Sequence, residues 1–219
     1  AFYSKVGWEG GEKSVLNFRE IMDNKKILLV NLSKGRLGEI NANLIGLLLV
    51  GKIQMAAMSR VDMYGQKMND FYLYMDEFQN ITTDSIASIL SEARKYRLSL
   101  TVAHQYISQL EETIKNAVFG NVGSIITYRI SPEDAAVLEL KYKPTFTAGD
   151  IIKLDNFNSY VNMLIGGVPA KPFSMTSHFT LIEKGNVEIV EKIKELSYLK
   201  YGRPREIVED EIMEKYRKI

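Results

Sequence analysis

The chain has 219 residues, 46% of them hydrophobic and 25% charged, and a net charge of +1. That length suits one domain, or one domain with an appendage, with apolar content sufficient for a core. The absence of cysteine excludes disulfides and thiolate metal sites, and the near-neutral balance means that any nucleic-acid surface is local. Ala1 to Lys13 shows no basic head followed by an apolar stretch, so no signal peptide is expected. Leu44 to Val50 is the most apolar segment. Gly51 and Lys52 interrupt it well short of the roughly 20 residues that a bilayer requires, so no membrane span is expected. The missing initiator Met hints at residues removed upstream.

Short apolar runs alternate with helical patterns along the chain. Ile27 to Leu32 (ILLVNL) reads as a buried strand, and Asn41 to Arg60, apolar nearly all round, as a buried helix. Phe71 to Met75 (FYLYM) is a second strand. Thr83 to Tyr96 is amphipathic, with Ile86, Ile89, Leu90 and Ala93 on one face. Leu98 to Ala103 is a third strand, Gln105 to Phe119 a helix, and Ser124 to Arg129 a fourth strand. Ser131-Pro132-Glu133-Asp134 then opens a helix. Ser131 suits the cap, Pro132 the first helical position and Asp134 the place of a capping-box carboxylate. Tyr160 to Ile165 is a fifth strand that turns at Gly166-Gly167. Continuously apolar strands separated by helices predict an α/β fold with a mainly parallel sheet. From Glu183 onward the chain is charge-rich. Val187, Val190, Ile193 and Leu196 form a narrow apolar stripe, Gly202-Arg203-Pro204 breaks it, and Ile207, Val208, Ile212 and Met213 mark a second helix. The expected organisation is a domain over residues 1–182 and a helical tail over 183–219, packed on its own domain or holding a partner.

One strand ends in two acids, Asp76 and Glu77. In parallel sheets the carboxyl ends of strands face the ligand crevice. There one carboxylate can hold Mg²⁺, directly or through water, and the next can orient or deprotonate an attacking water in phosphoryl transfer. A plain helix N-cap has the same pattern. The next strand runs into His104-Gln105. If the two strands are neighbours, Gln105 lies beside Glu77, where a neutral amide can report a γ-phosphate; alone it reads as a surface residue at a helix start. His104 reads as a loop or helix-start residue. Arg94, Lys95 and Arg97 crowd the end of the intervening helix. Cations are favoured at a helix C-terminus, and an arginine there can also reach a neighbouring subunit's nucleotide.

Taken together, Asn24 to Glu39 (NKKILLVNLSKGRLGE), Phe71 to Asn80 (FYLYMDEFQN), Leu90 to Leu110 (LSEARKYRLSLTVAHQYISQL), Phe119 to Ala135 (FGNVGSIITYRISPEDA) and Lys171 to Ser177 (KPFSMTS) resemble the C-terminal portion of type IV secretion and conjugation coupling-type ATPases of the HerA/FtsK superfamily. The resemblance implies a RecA-like domain, with Asp76 as the Walker B acid that binds Mg²⁺, Glu77 as the catalytic glutamate and Gln105 as the sensor glutamine. It implies Arg94 as the arginine supplied in trans, with Arg129 a second candidate. It further implies ATP and Mg²⁺ as cofactors, a ring, commonly a hexamer, around DNA, and relaxase or secretion-channel partners. The expected setting is the cytoplasm, at the inner membrane face through regions outside this chain. A HerA-type helicase, a secretion-assembly motor and a non-catalytic interaction module are the rival readings.

A working motor of this kind needs a G-x-x-x-x-G-K-[ST] loop. Gly7-Trp8-Glu9-Gly10-Gly11-Glu12-Lys13-Ser14 puts Glu12 where the second glycine belongs, and its charge would repel phosphate, so these residues read as a decoy. Ser33-Lys34-Gly35-Arg36-Leu37-Gly38 also lacks the core of the motif and reads as a structural turn near the crevice, with an anion cradle that touches DNA or nucleotide as the alternative. The chain alone is therefore expected to hydrolyse little or no ATP. Lys34, Arg36, Lys52 and Arg60 read as solvated surface charge, with the lining of a DNA channel as the alternative.

Overall fold

The computed structural model describes residues 16–63, 65–82, 84–178 and 185–217. The decoy loop at 7–14 lies outside the described residues. Arg19–His178 form one compact unit. Within it, α1 (Phe18–Asp23) and α2 (Lys34–Leu37) precede a 20-residue helix, α3 (Glu39–Met58). Ala42, Gly46, Val50, Ile53 and Ala57 form its buried stripe, spaced four, four, three and four residues apart as one helical face requires. The stripe is made of small and branched residues because neighbours approach closely. A Cβ on Gly46 would lie 2.4 Å from Ile81 Cγ2. The helix is therefore buried on one side only, and Ile40, Leu44, Leu48 and Met55 are exposed. Residues Glu39–Met63 form a helix long and apolar enough to cross a membrane by length and composition. This corrects the shorter segment expected from Leu44 to Val50. Here α3 packs its stripe on the following helix and on two 3-10 turns of its own domain.

Phe71–Met75 (β1) and Leu98–Val102 (β2) pair in parallel, from Phe71 opposite Leu98 to Met75 opposite Val102. Between them run a 3-10 turn (Phe78–Ile81), α4 (Asp84–Glu92) and a second 3-10 turn (Ala93–Tyr96). The sheet buries Met75 and Leu98 on its inner face. Tyr72 and Tyr74 on the other face stay 59% and 71% exposed. A turn at Ile107–Gln109 then leads to α5 (Glu112–Asn121), which packs on α4. The expected helix from Gln105 thus begins seven residues later.

Three of the remaining strands form a second sheet. Ile125–Thr127 (β3) pairs antiparallel with Asn158–Asn162 (β4), and β4 pairs antiparallel with a strand at Phe173–Thr176. The sequence reading placed β3 and β4 in the parallel series. Apolar runs do not encode direction: β3 and β4, joined through α6 (Pro132–Tyr142) and α7 (Ala148–Ile152), pair antiparallel. A small hairpin, β5 (Leu164–Ile165) and β6 (Val168–Pro169), turns at Gly166 and Gly167, both at positive φ, ahead of Phe173–Thr176 (β7). Ile107, Ala135, Leu138, Tyr142 and Ile151 form the buried cluster of this half, with Phe146 stacked on Tyr160 at 3.7 Å. The Tyr142 hydroxyl sits 2.7 Å from Thr127 Oγ1 and donates toward the carbonyls of Tyr160 and Ile125. A buried phenol is tolerated because its polar end is satisfied.

Ile27 to Leu32 joins no ladder among the described residues, and Ile27 and Leu29 are more than four-fifths exposed. A strand exists only through its partners, and this segment pairs with none of the described strands. Outside the compact unit, α8 (Val187–Tyr201) is capped by Asn186, whose Oδ1 accepts from Glu188 and Ile189 N. The chain breaks at Gly202-Arg203-Pro204, and α9 (Arg205–Arg217) follows. Neither helix buries a residue.

Candidate nucleotide-site residues at the strand tips

Because β1 and β2 are parallel and in register, their carboxyl ends are level. The ladder continues beyond them: Ala103 N donates to Met75 O at 2.8 Å, and Phe78 N donates to Ala103 O at 3.1 Å. These two bonds hold the Asp76-Glu77 corner against the residues leaving β2. Phe78, fully buried, anchors the turn from below.

Glu77 takes the left-handed conformation, φ 50 and ψ 42. A non-glycine residue there is strained, and such strain persists only where neighbours fix it. The neighbours are explicit. Asp76 Oδ1 accepts from Glu77 N at 3.0 Å, and Asn80 Nδ2 donates to Glu77 O at 3.1 Å. At the carboxylate, Gln105 Nε2 donates to Oε1 at 2.5 Å and Gln79 Nε2 donates to Oε2 at 2.6 Å. The structure therefore brings Glu77 and Gln105 together, as neighbouring strands would.

Asp76 is exposed and keeps its second carboxylate oxygen clear of any described partner. Among the described residues no group of three or more His, Asp or Glu could hold a metal by itself. One free carboxylate oxygen fits Mg²⁺ that takes its remaining ligands from phosphate and water, the usual arrangement at nucleotide sites. His104 sits between this corner and Asp134. Burial lowers its pKa, and the charges of Asp134 and Glu77 oppose that shift. Its ring meets Phe78 edge-on at 5.2 Å.

The arginines lie elsewhere. Arg94 is in the turn that precedes β2, at the amino end of the strand whose carboxyl end carries Gln105. Five strand residues at about 3.3 Å each separate those ends by roughly 16 Å. Arg94 is exposed and makes no ion pair with a described residue. Arg129 follows β3 and donates to Asn156 Oδ1 at 2.9 Å, not to the Asp76-Glu77 corner. Arg60 corrects the sequence reading in both of its forms. It is neither solvated nor available to a channel, being wholly buried, with Nε donating to Asp23 Oδ1 at 3.1 Å and Nη1 donating to the carbonyls of Asn69 and Tyr96 at 3.0 Å. Lys34 pairs with Glu39 at 3.1 Å.

Sequence reasoning missed two polar residues near this corner. A glutamine two residues beyond an acid carries no motif signal, so Gln79 is silent in the sequence. Asp134 has the sequence position of a capping-box carboxylate. Ser131 does cap α6, accepting from Asp134 N at 3.2 Å, but the Asp134 carboxylate reaches across to accept from Ile107 N at 3.0 Å.

Residues 70–139, which include this corner and all three arginine and glutamine candidates, match the family described as the TraM recognition site of TraD and TraG. This stretch is similar to the TraD/TraG family. The resemblance drawn from the motifs to coupling-type ATPases is thereby borne out. Among solved structures, the chain is similar to the bacterial conjugative coupling protein TrwB (unbound form) at 14% identity and a TM-score of 0.49, over 59% of this chain and 36% of that one. It is similar to TrwB with a non-hydrolysable GTP analogue at 15% identity and 0.49, over 59% and 35%. It is also similar to the genome packaging NTPase B204 of Sulfolobus turreted icosahedral virus 2, bound to AMPPCP, at 14% identity and 0.48, over 75% and 72%. The chain spans about a third of the length of TrwB. No curated protein matches it in sequence.

Proposed function

We propose that this chain is the part of a RecA-like, ATP-driven translocase that carries the water-activating corner, and that the whole protein moves DNA or a protein–DNA conjugate as TraD/TraG-type coupling proteins do. The observation that carries the reading is the meeting of Glu77 and Gln105 at the level ends of two parallel strands. Glu77 orients or deprotonates the attacking water. Asp76 contributes one oxygen to Mg²⁺. Gln105, exposed and already bonded to Glu77, responds to the γ-phosphate. The match of residues 70–139 to the TraD/TraG model supports this reading.

Arg94 cannot serve its own copy's corner from the far end of β2. Its exposure and its lack of an ion-pair partner among the described residues suit a guanidinium that completes a neighbouring copy's site in a ring, commonly a hexamer; Arg129, engaged by Asn156, suits that task less well. DNA is the partner in the central channel, and relaxase or secretion-channel proteins are partners at its rim, in a cytoplasmic setting beside the inner membrane. Phosphate-loop residues come from outside this chain, so the chain alone hydrolyses little ATP. In the longest native chain that contains these residues, Glu77→Gln should lower kcat by on the order of 10²–10³ while nucleotide still binds. Turnover at the parent rate would remove the assignment.

A further inference from the structure

Both oxygens of the Glu77 carboxylate are engaged, but by two amides of different character. Gln105 lies on the segment leaving β2 and is exposed. Gln79 is half-buried in the 3-10 turn Phe78–Ile81, directly beyond the buried Phe78. Its backbone carbonyl accepts from Thr82 Oγ1 at 3.3 Å, and Phe78 ties the same turn to Ala103. One donor is therefore free to swing and the other is built into the scaffold.

The orientation of the Gln79 amide is fixed by chemistry. A contact of 2.6 Å to a carboxylate oxygen admits only the N–H₂ end, since the carbonyl end would set oxygen against anion. That choice leaves Gln79 Oε1 buried and without a hydrogen-bond partner among the described residues. A buried acceptor without a donor is unfavourable. The amide tolerates that cost on one side while it donates to Glu77 on the other. Glu77 itself sits in the left-handed region, so its side chain leaves the backbone in a direction that rotamer preference alone does not hold.

We propose that Gln79 is the positioning residue of the site: it fastens Oε2 of Glu77, so that Oε1, released when Gln105 turns toward phosphate, is the oxygen that meets water. This rests on the catalytic reading of Glu77 given above. It assigns the two oxygens separate tasks and makes Gln79 a support that never touches nucleotide.

Gln79→Met tests the role because it separates activity from stability. Methionine fills a similar volume, removes the donor and also removes the unsatisfied Oε1. In the longest native chain, kcat should fall on the order of 10–100-fold, the scale expected when a reacting group is misplaced by about 1 Å. KM and nucleotide affinity should stay within about twofold, and Tm should hold or rise. A packing role predicts the reverse, with kcat unchanged, and that result overturns the proposal. Glu77→Gln is measured beside it. If Glu77→Gln still turns over, the catalytic reading fails and takes this role with it. If Glu77→Gln is inactive while Gln79→Met works at the parent rate, the positioning role alone falls. A second measurement needs no turnover: the side-chain amide NMR signal of Gln79 should move in Glu77→Gln of this chain, and an unmoved signal overturns the contact.

Discussion

The two sheets of the compact unit solve the same problem differently. The antiparallel sheet, β3-β4-β7, closes a core of its own. Tyr142, Ile151 and Ala135 are fully buried there, and their polar neighbours are satisfied, the Tyr142 hydroxyl by Thr127 and two carbonyls and the Asp134 carboxylate by Ile107 N. The parallel pair β1-β2 is covered on one face and open on the other, where Tyr72 and Tyr74 stand exposed. It also carries the left-handed residues Glu77 and Arg97 at its two ends. One half is closed with its polar groups satisfied, and the other carries the strained residues. Substitutions should follow that division.

The largest effect expected on stability is in the closed half. Asp134→Ala leaves Ile107 N buried without its acceptor and should cost about 2–3 kcal/mol, read as a lower midpoint in urea with an unchanged slope. A loss under 0.5 kcal/mol would mean that the closed half is not held by its polar contacts. Tyr142→Phe should cost about 1–2 kcal/mol at neutral pH, because Thr127 loses its partner. The same variant carries a pH signature. Burial raises the Tyr142 pKa above the ordinary value of about 10, against the pull of its bond to Thr127. Above pH 10 the unfolded chain therefore loses this proton while the folded chain keeps it. The stability is fully present below pH 10 and falls as pH rises through the folded value. Tyr142→Phe should flatten that fall in an alkaline melting series. The smallest effect is expected in the open half. Tyr74→Ser, on the uncovered face, should change stability by less than about 0.5 kcal/mol in the same urea measurement. A larger loss would show that the face is covered in solution and would erase the contrast between the halves.

The sequence is informative where a feature is local. Asp76, Glu77 and Gln105 were legible because a strand, an acid pair and a second strand leave a pattern in one dimension. The cap at Ser131 and the turn at Gly166-Gly167 were legible because backbone geometry demands those residues. Direction was not. The run at β3 looks as apolar as that of a parallel strand, and its antiparallel partner β4 is brought to it only by folding. Arg60 was illegible for the same reason: its partners at Asp23, Asn69 and Tyr96 are brought together by folding alone. Ile27 to Leu32 shows the converse, a strong strand pattern with no described strand to pair with. The division into residues 1–182 and a tail remains our proposal for how the whole chain is organised.

The sealed guanidinium of Arg60 has a practical consequence for anyone trimming this protein. It is 0% exposed and forms an ion pair with Asp23, on the first helix, at 3.0 Å. A shortened version beginning after Asp23 would strand a cation in the interior, a defect generally worth about 3–5 kcal/mol. The first helix, small as it is, supplies the counter-charge on which the floor beneath Ala93–Tyr96 rests, and any minimal version must keep it.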